Sequence, residues 1–170
     1  MSLLQLNCGS GQRKFASPPF INIDINPKWD PDLVADVSSL PYEDNSCSLI
    51  VSHHQLEHIE ISKADEMLRE WNRLLCPGGS LLVFVPDLRA LTDAWMKGKI
   101  DDYIFCVNLH GAWMGNEADL HRWSYHELSL SRKIRKAAIW RNVSRFDWRK
   151  IPGTDIAAQD WWICAIEAIK

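Results

Sequence analysis

The chain has 170 residues, 46% of them hydrophobic and 24% charged, with a formal net charge of −3. That length suits one domain with a substantial core, the composition is that of an ordinary soluble globular protein, and the weak acidic balance argues against a nucleic-acid or membrane surface. No apolar stretch approaches the length of a bilayer span and no signal peptide precedes the first strand, so a soluble cytoplasmic domain is expected. Five scattered cysteines (Cys8, Cys47, Cys76, Cys106, Cys164), never spaced Cys-x-x-Cys, read as small buried hydrophobes in a reducing compartment.

The apolar run from Leu3 to Leu6 has strand length and ends abruptly in the turn Gly9-Ser10-Gly11. Glycine lacks a Cβ and tolerates positive φ, so such a turn lets main chain approach a ligand closely. Gln12 to Pro19 leaves room only for a brief helix before two prolines. Phe20 to Ile25 alternates as a second strand ending near Asp24, and Leu33 to Val37 is a third, also ending near an acid, Asp36. Pro41 to Asn45 is a polar loop, and Cys47 to Ser52 is apolar enough for a strand buried on both faces.

Ser62 is placed to cap a helix, with Asp65 three residues on in a capping-box pattern, and Ala64, Met67, Leu68, Trp71, Leu74 and Leu75 share one face. Pro77-Gly78-Gly79 ends that helix and Ser80 to Pro86 is a fifth strand. Helices are expected over 88–96 and 100–109, a loop over 111–119, and a basic amphipathic helix over 125–139 with Leu128, Ile134 and Ala138 as apolar positions. Strands over 143–148 and 161–169 are joined by a hairpin-like return at Pro152-Gly153. This alternation predicts an α/β fold: a mostly parallel central sheet, helices on both faces, and an antiparallel C-terminal edge strand. In such sheets ligands bind outside the carboxyl ends of the strands, where the glycine turn, Asp24, Asp36 and the Ser52-His53 pair all fall.

These motifs, in this order, resemble the class I S-adenosylmethionine-dependent methyltransferases, and the resemblance runs nearly end to end. Leu6 to Gly11 resembles the family's first motif, Asp24 the acid after the second strand, and Ala35 to Pro41 the loop flanking the adenine. Ser52 to Ile59 resembles the segment after strand four, and Leu75 to Leu81 the lead into strand five. Phe20 to Asp24, Pro41 to Ser46 and Asp119 to Ser124 are similar to a bacterial subgroup that often accompanies surface-polysaccharide genes, which implies a saccharide acceptor. The chain departs from many relatives in carrying Asn7 for an acid and Arg13 for a third glycine. It also lacks the usual N-terminal covering helices, so the expected single domain leaves an open site suited to a large substrate or to completion by a second subunit in a homodimer.

The resemblance implies a Rossmann-like methyltransferase fold and S-adenosylmethionine as cofactor, with S-adenosylhomocysteine as product. It carries cofactor binding onto Asn7, Gly9, Ser10 and Gly11 for the methionine part, Asp24 and Ile25 for the ribose, Asp36 and Val37 for the adenine, and Ser52 and His53 near the sulfonium. A sulfonium is an activated leaving group, so the protein mainly aligns donor and acceptor and excludes water. A hydroxyl acceptor also benefits from a base near neutral pKa, for which His53 and His121 are the candidates. Trp113 and Trp123 could stack on a sugar, although burial is the commoner role of tryptophan.

His54, Glu57 and His58 lie close in sequence, but no further ligand set accompanies them and the His-Glu-x-x-His spacing is absent. No metal is expected, and Glu57 and His58 read as helix-start and packing residues. Arg132, Lys133, Arg135, Lys136, Arg141, Arg145, Arg149 and Lys150 read as a solvated helix face, with docking of an anionic substrate such as a phosphorylated glycan carrier as the alternative. A nicotinamide-binding oxidoreductase is disfavoured because the third glycine is missing and Asp24 follows Gly11 too soon. A non-catalytic methyltransferase-like scaffold is the other alternative.

Overall fold

The computed structural model describes residues 2–16, 19–113, 117–147 and 162–170. Seven strands form one sheet: β1 (Leu4–Cys8), β2 (Phe20–Asp24), β3 (Leu33–Val34), β4 (Cys47–His53), β5 (Leu75–Pro86), β6 (Asn142–Arg145) and β7 (Ile163–Ile169), in the order β3-β2-β1-β4-β5-β7-β6. β1 pairs in parallel with β2 and β4, and β4 with β5, so the carboxyl ends of these strands share one edge. The strand order reverses between β1 and β4, which opens a crevice at that edge. β7 is antiparallel, from Ser80↔Ile169 to Pro86↔Ile163 against β5; it lies one position in from the edge, which β6 occupies.

Among the described residues four α-helices surround the sheet: α1 (Ala64–Leu74), α2 (Leu88–Met96), α3 (Asp102–His110) and α4 (Glu127–Ala137). α1 and α4 bury Met67, Leu68, Trp71 and Leu74 with Leu130, Ile134 and Ala137 in the main core. An ion pair of 2.7 Å between Lys133 and Asp65 links the two helices. The opposite sheet face carries a smaller cluster around Val51, Leu82, Phe84 and Ile163, whose described members come from strands and loops. α2 and α3 pack on each other through the stacked rings of Trp95 and Phe105, 4.8 Å apart.

Several local expectations are corrected. Ser62 does not cap α1: the helix follows a turn in which the N–H groups of Lys63 and Ala64 both donate to the Glu60 carbonyl, and Asp65 serves α4 instead. Pro77-Gly78-Gly79 lies inside β5, as an irregularity where the register against β4 jumps from Cys47↔Leu75 to Leu49↔Ser80. On α4 the buried positions are Leu130, Ile134 and Ala137, whereas Leu128 is half exposed, because the helix turns one step from the expected face. β3 has only two residues. Trp148, Trp161 and the return at Pro152-Gly153 lie outside the described residues. Cys8, Cys47 and Cys164 are buried free thiols as expected, but Cys106 on α3 is exposed.

Candidate active site

A cleft of about 620 Å³ opens at the carboxyl edge of the sheet. Gly9, Gly11, Asp24, Ile25, Asp36 and Val37 are among the residues that line it, together with His54, Gln55, His58, Asn108, His121 and Trp162. The glycine turn is anchored by two bonds, from the N–H groups of Gly9 and Ser10 to the Ile23 carbonyl, both 2.9 Å. Gly9 and Gly11 are left-handed (φ 73° and 48°), which favours glycine. A Cβ on Gly9 would collide with Gln55, whose Cδ would lie 2.7 Å away, so the Gln55 amide rests against the turn.

Asp24, buried at the end of β2, holds the turn and the strand exit together. Its Oδ2 accepts from Gly11 N and its Oδ1 from Asn26 N, both at 2.8 Å. A carboxylate offers about four lone-pair sites, so two remain. Asp36 uses Oδ1 to accept from the Ser38 main chain (2.9 Å) and hydroxyl (2.7 Å), the local turn-forming habit of aspartate. Val37 is anchored from the core: the Trp71 indole N–H donates to its carbonyl at 3.0 Å.

Four of the expected cofactor residues do not line the cleft. Asn7 is buried, and its amide donates to the Arg13 carbonyl (2.8 Å) and Asn22 Oδ1 (2.9 Å), a donor role that an acid could not fill. Ser10 and Ser52 are buried, their hydroxyls without a hydrogen-bond partner among the described residues. His53 stacks on Phe84, with ring centroids 5.4 Å apart, and its Nε2 lies 3.2 Å from Arg13 Nη1. A guanidinium only donates, so this nitrogen accepts and the ring is neutral. Burial, with the neighbouring His54 and Arg13, lowers its pKa to about 2.

Sequence reasoning assigned no functional role to His54, Gln55 or Glu57, and His54 and Gln55 border the cleft. His54 leaves β4 in the left-handed region (φ 54°), a costly conformation for a residue with a side chain, and its Nδ1 lies 2.8 Å from Glu57 Oε1. Glu57 sits in a single 3₁₀ turn, Leu56–His58, and is almost wholly buried. Burial opposes its ionisation, but the hydrogen bond from His54 and the fields of His54, His58 and His121 outweigh that and hold its pKa below the usual value.

The segment around His121 is strapped onto this turn. The Glu57 carbonyl accepts from Arg122 N (2.8 Å) and Trp123 N (3.1 Å), while His121 N donates to the His110 carbonyl at the end of α3 (2.9 Å). His121 therefore lies over the cleft, its ring edge-to-face with His58, centroids 4.7 Å apart. Burial lowers its pKa against the pull of Glu57. Behind it Glu57, Pro86, Leu91 and Tyr125 help to line a hollow of about 10 Å³, the space of one water. Trp113 is largely exposed and Trp123 about half exposed.

The basic stretch is divided. Lys133 pairs with Asp65 and donates to the Ile61 carbonyl, Arg135 donates to the Val143 carbonyl, and Arg145 lies 3.6 Å from Glu127, while Arg149 and Lys150 fall outside the described residues. Among the described residues no helix is long and apolar enough to cross a membrane.

Residues 6–83, somewhat less than half of the chain, match the family model of a methyltransferase domain. The fold is similar to that of a S-adenosylmethionine-dependent methyltransferase from Archaeoglobus fulgidus (15% identity, TM-score 0.66), covering 99% of this chain and 86% of that one. It is also similar to a S-adenosylmethionine-dependent methyltransferase from Thermotoga maritima (16% identity, TM-score 0.59, 100% and 83% of the two chains). A third likeness is to 1,6-didemethyltoxoflavin-N1-methyltransferase from Burkholderia thailandensis, solved with bound 1,6-didemethyltoxoflavin and S-adenosylhomocysteine (17% identity, TM-score 0.57, 98% and 70% of the two chains). Among curated protein sequences none matches the chain. The sheet order and the cleft at its carboxyl edge thus define a Rossmann-like fold of the class I methyltransferase type. Residues 6–83, which match the methyltransferase-domain model, lie on that fold.

Proposed function

We propose that this chain transfers the methyl group of S-adenosylmethionine to a hydroxyl of a small molecule or saccharide. The observation that carries the cofactor assignment is the buried Asp24 carboxylate, bridging Gly11 N and Asn26 N at the mouth of the cleft beside two left-handed glycines. Its two unused lone-pair sites match the paired hydroxyls of a ribose. Gly11, with nothing within 4 Å of its Cβ position, leaves space for the methionine part, and the Gln55 amide against Gly9 adds a donor and an acceptor there. Asp36, with Oδ2 outside its own turn, and the Val37 main chain hold the adenine. The cleft is of the size that small-molecule sites occupy.

S-adenosylmethionine brings an electrophilic methyl group on sulfur that leaves as a neutral thioether by in-line displacement. The chain's own task is to hold the acceptor oxygen in line and exclude water. We place the acceptor at the His121 end of the cleft, since His121 faces it whereas His53 is buried, neutral and turned toward Arg13. We infer a saccharide acceptor, or a second subunit that completes the site, and the free thiols suit the cytoplasm.

The test is calorimetric titration with S-adenosylmethionine, S-adenosylhomocysteine and NAD in parallel. Micromolar binding of the first two but not NAD is expected, followed by a screen of nucleotide sugars and glycans as acceptors. Binding of NAD alone, or of none of the three, would overturn the assignment.

A further inference from the structure

We propose that Glu57, His58 and His121 bind a divalent cation of the zinc, manganese or iron type, which takes the acceptor hydroxyl as a further ligand. The acceptor's role rests on the methyltransferase reading; the cation site does not.

The nitrogens of His58 and His121 and a carboxylate oxygen of Glu57 lie within 4.8 Å of one another. Ligand atoms about 2.0–2.2 Å from a common zinc-like centre are somewhat closer together than that, so closure needs side-chain adjustments of about an ångström. Glu57 supplies the independent pointer. Its Oε1 is engaged by His54 Nδ1, but its Oε2 is buried with no hydrogen-bond partner among the described residues. A buried anionic oxygen without a donor is costly, and a cation removes the cost.

The surroundings match what metal ligands need around them. His54 orients the carboxylate. His58 Nδ1 lies 3.3 Å from the Leu120 carbonyl, which selects the tautomer with the proton on Nδ1 and leaves the Nε2 lone pair free. The strap from Arg122 N and Trp123 N to the Glu57 carbonyl fixes ligands that are distant in sequence.

Two imidazoles and one carboxylate suit zinc, manganese or iron better than magnesium or calcium, which favour oxygen ligands. Three protein ligands leave open coordination positions, the mark of a catalytic rather than structural centre. Because His58 and His121 both line the cleft, those positions face the acceptor. A hydroxyl bound there loses its proton to solvent water more readily, without a protein base.

The chain is stripped with chelator, then titrated with Co²⁺ by calorimetry and visible absorption, with Zn²⁺ as competitor. One Co²⁺ per chain is expected, displaced by Zn²⁺, with affinity at least about 10-fold weaker in His58→Ala and in His121→Ala. Unaltered far-UV circular dichroism and cooperative thermal melting of both variants show that they remain folded. A chain that binds S-adenosylmethionine but takes up no Co²⁺ overturns the proposal, and a single water in the hollow beside Glu57 and Tyr125 then satisfies the carboxylate. Uptake undiminished in both variants also overturns it, since the ion then lies elsewhere. Histidine-dependent Co²⁺ uptake without S-adenosylmethionine binding supports the cation site while refuting the methyltransferase reading.

Discussion

Gly111→Ala tests whether the strap over the cleft positions His121. Gly111 ends α3 at φ 82° and ψ 159°, a region that is nearly glycine-only. Forcing alanine there costs roughly 1–3 kcal/mol. The new Cβ would also fall on the Asp119 carbonyl oxygen, 2.9 Å from His121 N and 3.0 Å from Leu120 Cα. These are backbone atoms of the strap, so no side-chain rotation relieves the overlap. The cheapest relief is to lift the strap, losing the bonds of His121 N, Arg122 N and Trp123 N, each worth about 1 kcal/mol net. The combined cost is roughly 4–6 kcal/mol, or roughly 8–24 °C in Tm for a chain of this size. Gly98→Ala is the control: it has φ 65° but nothing within 4 Å of its Cβ, so it carries the backbone penalty alone. Thermal denaturation, Co²⁺ titration and S-adenosylmethionine titration are run on both variants. Gly111→Ala should melt well below Gly98→Ala and bind Co²⁺ more weakly, with cofactor affinity unchanged because Asp24 and Asp36 stand on other elements. Equal melting of the two variants, with Co²⁺ affinity intact, would refute the strap as the device that places His121.

Asp24→Ala should weaken S-adenosylmethionine binding by about 1.5–3 kcal/mol, the worth of hydrogen bonds to a charged group; unchanged calorimetric affinity in a folded variant removes the ribose role. Trp71→Phe leaves the Val37 carbonyl without its buried donor and should cost about 1–3 kcal/mol in urea unfolding while also weakening adenine binding. If only stability falls, the indole supports the core and not the site. His53 is held at a pKa of about 2 against an ordinary 6.5, so the unfolded chain protonates first as pH falls. Stability is therefore full above about pH 6.5 and declines toward pH 2, by roughly 2 kcal/mol between pH 6.5 and 5. His53→Gln should flatten much of that slope in urea melts at the two pH values, and an unaltered slope would show that His53 is not the group responsible.

Much of the cleft around Gly9, Gly11, Asp24 and Asp36 was legible because its signals are local. A strand-length apolar run ending in Gly9-Ser10-Gly11, and strands ending near Asp24 and Asp36, place these residues at one sheet edge by alternation and turn chemistry alone. The face of α1 was legible for the same reason, since helical period needs no knowledge of what the helix meets. His53 was misplaced by one residue of strand length. Reading the fourth strand as ending at Ser52 puts His53 at the mouth of the crevice, but β4 runs through His53. Side chains alternate along a strand, so His53 shares the face of Val51, stacks on Phe84 and turns from the cleft, while His54 is the first side chain released into it.

By itself the sequence determined the alternating α/β plan, the glycine turn and the acids that flank it, because each depends on the spacing of near neighbours. Tertiary structure alone decided the surroundings of His121. Glu57 and His58 offered no third ligand in their own stretch, and His121, far along the chain, reaches them only because main-chain bonds strap its segment to the Glu57 turn and to the end of α3. It also decided that β7 lies inside the sheet, paired with β5 on one side and β6 on the other. Both are long-range closures, set by which backbone groups find partners across the fold, and no local pattern of residue types encodes that choice.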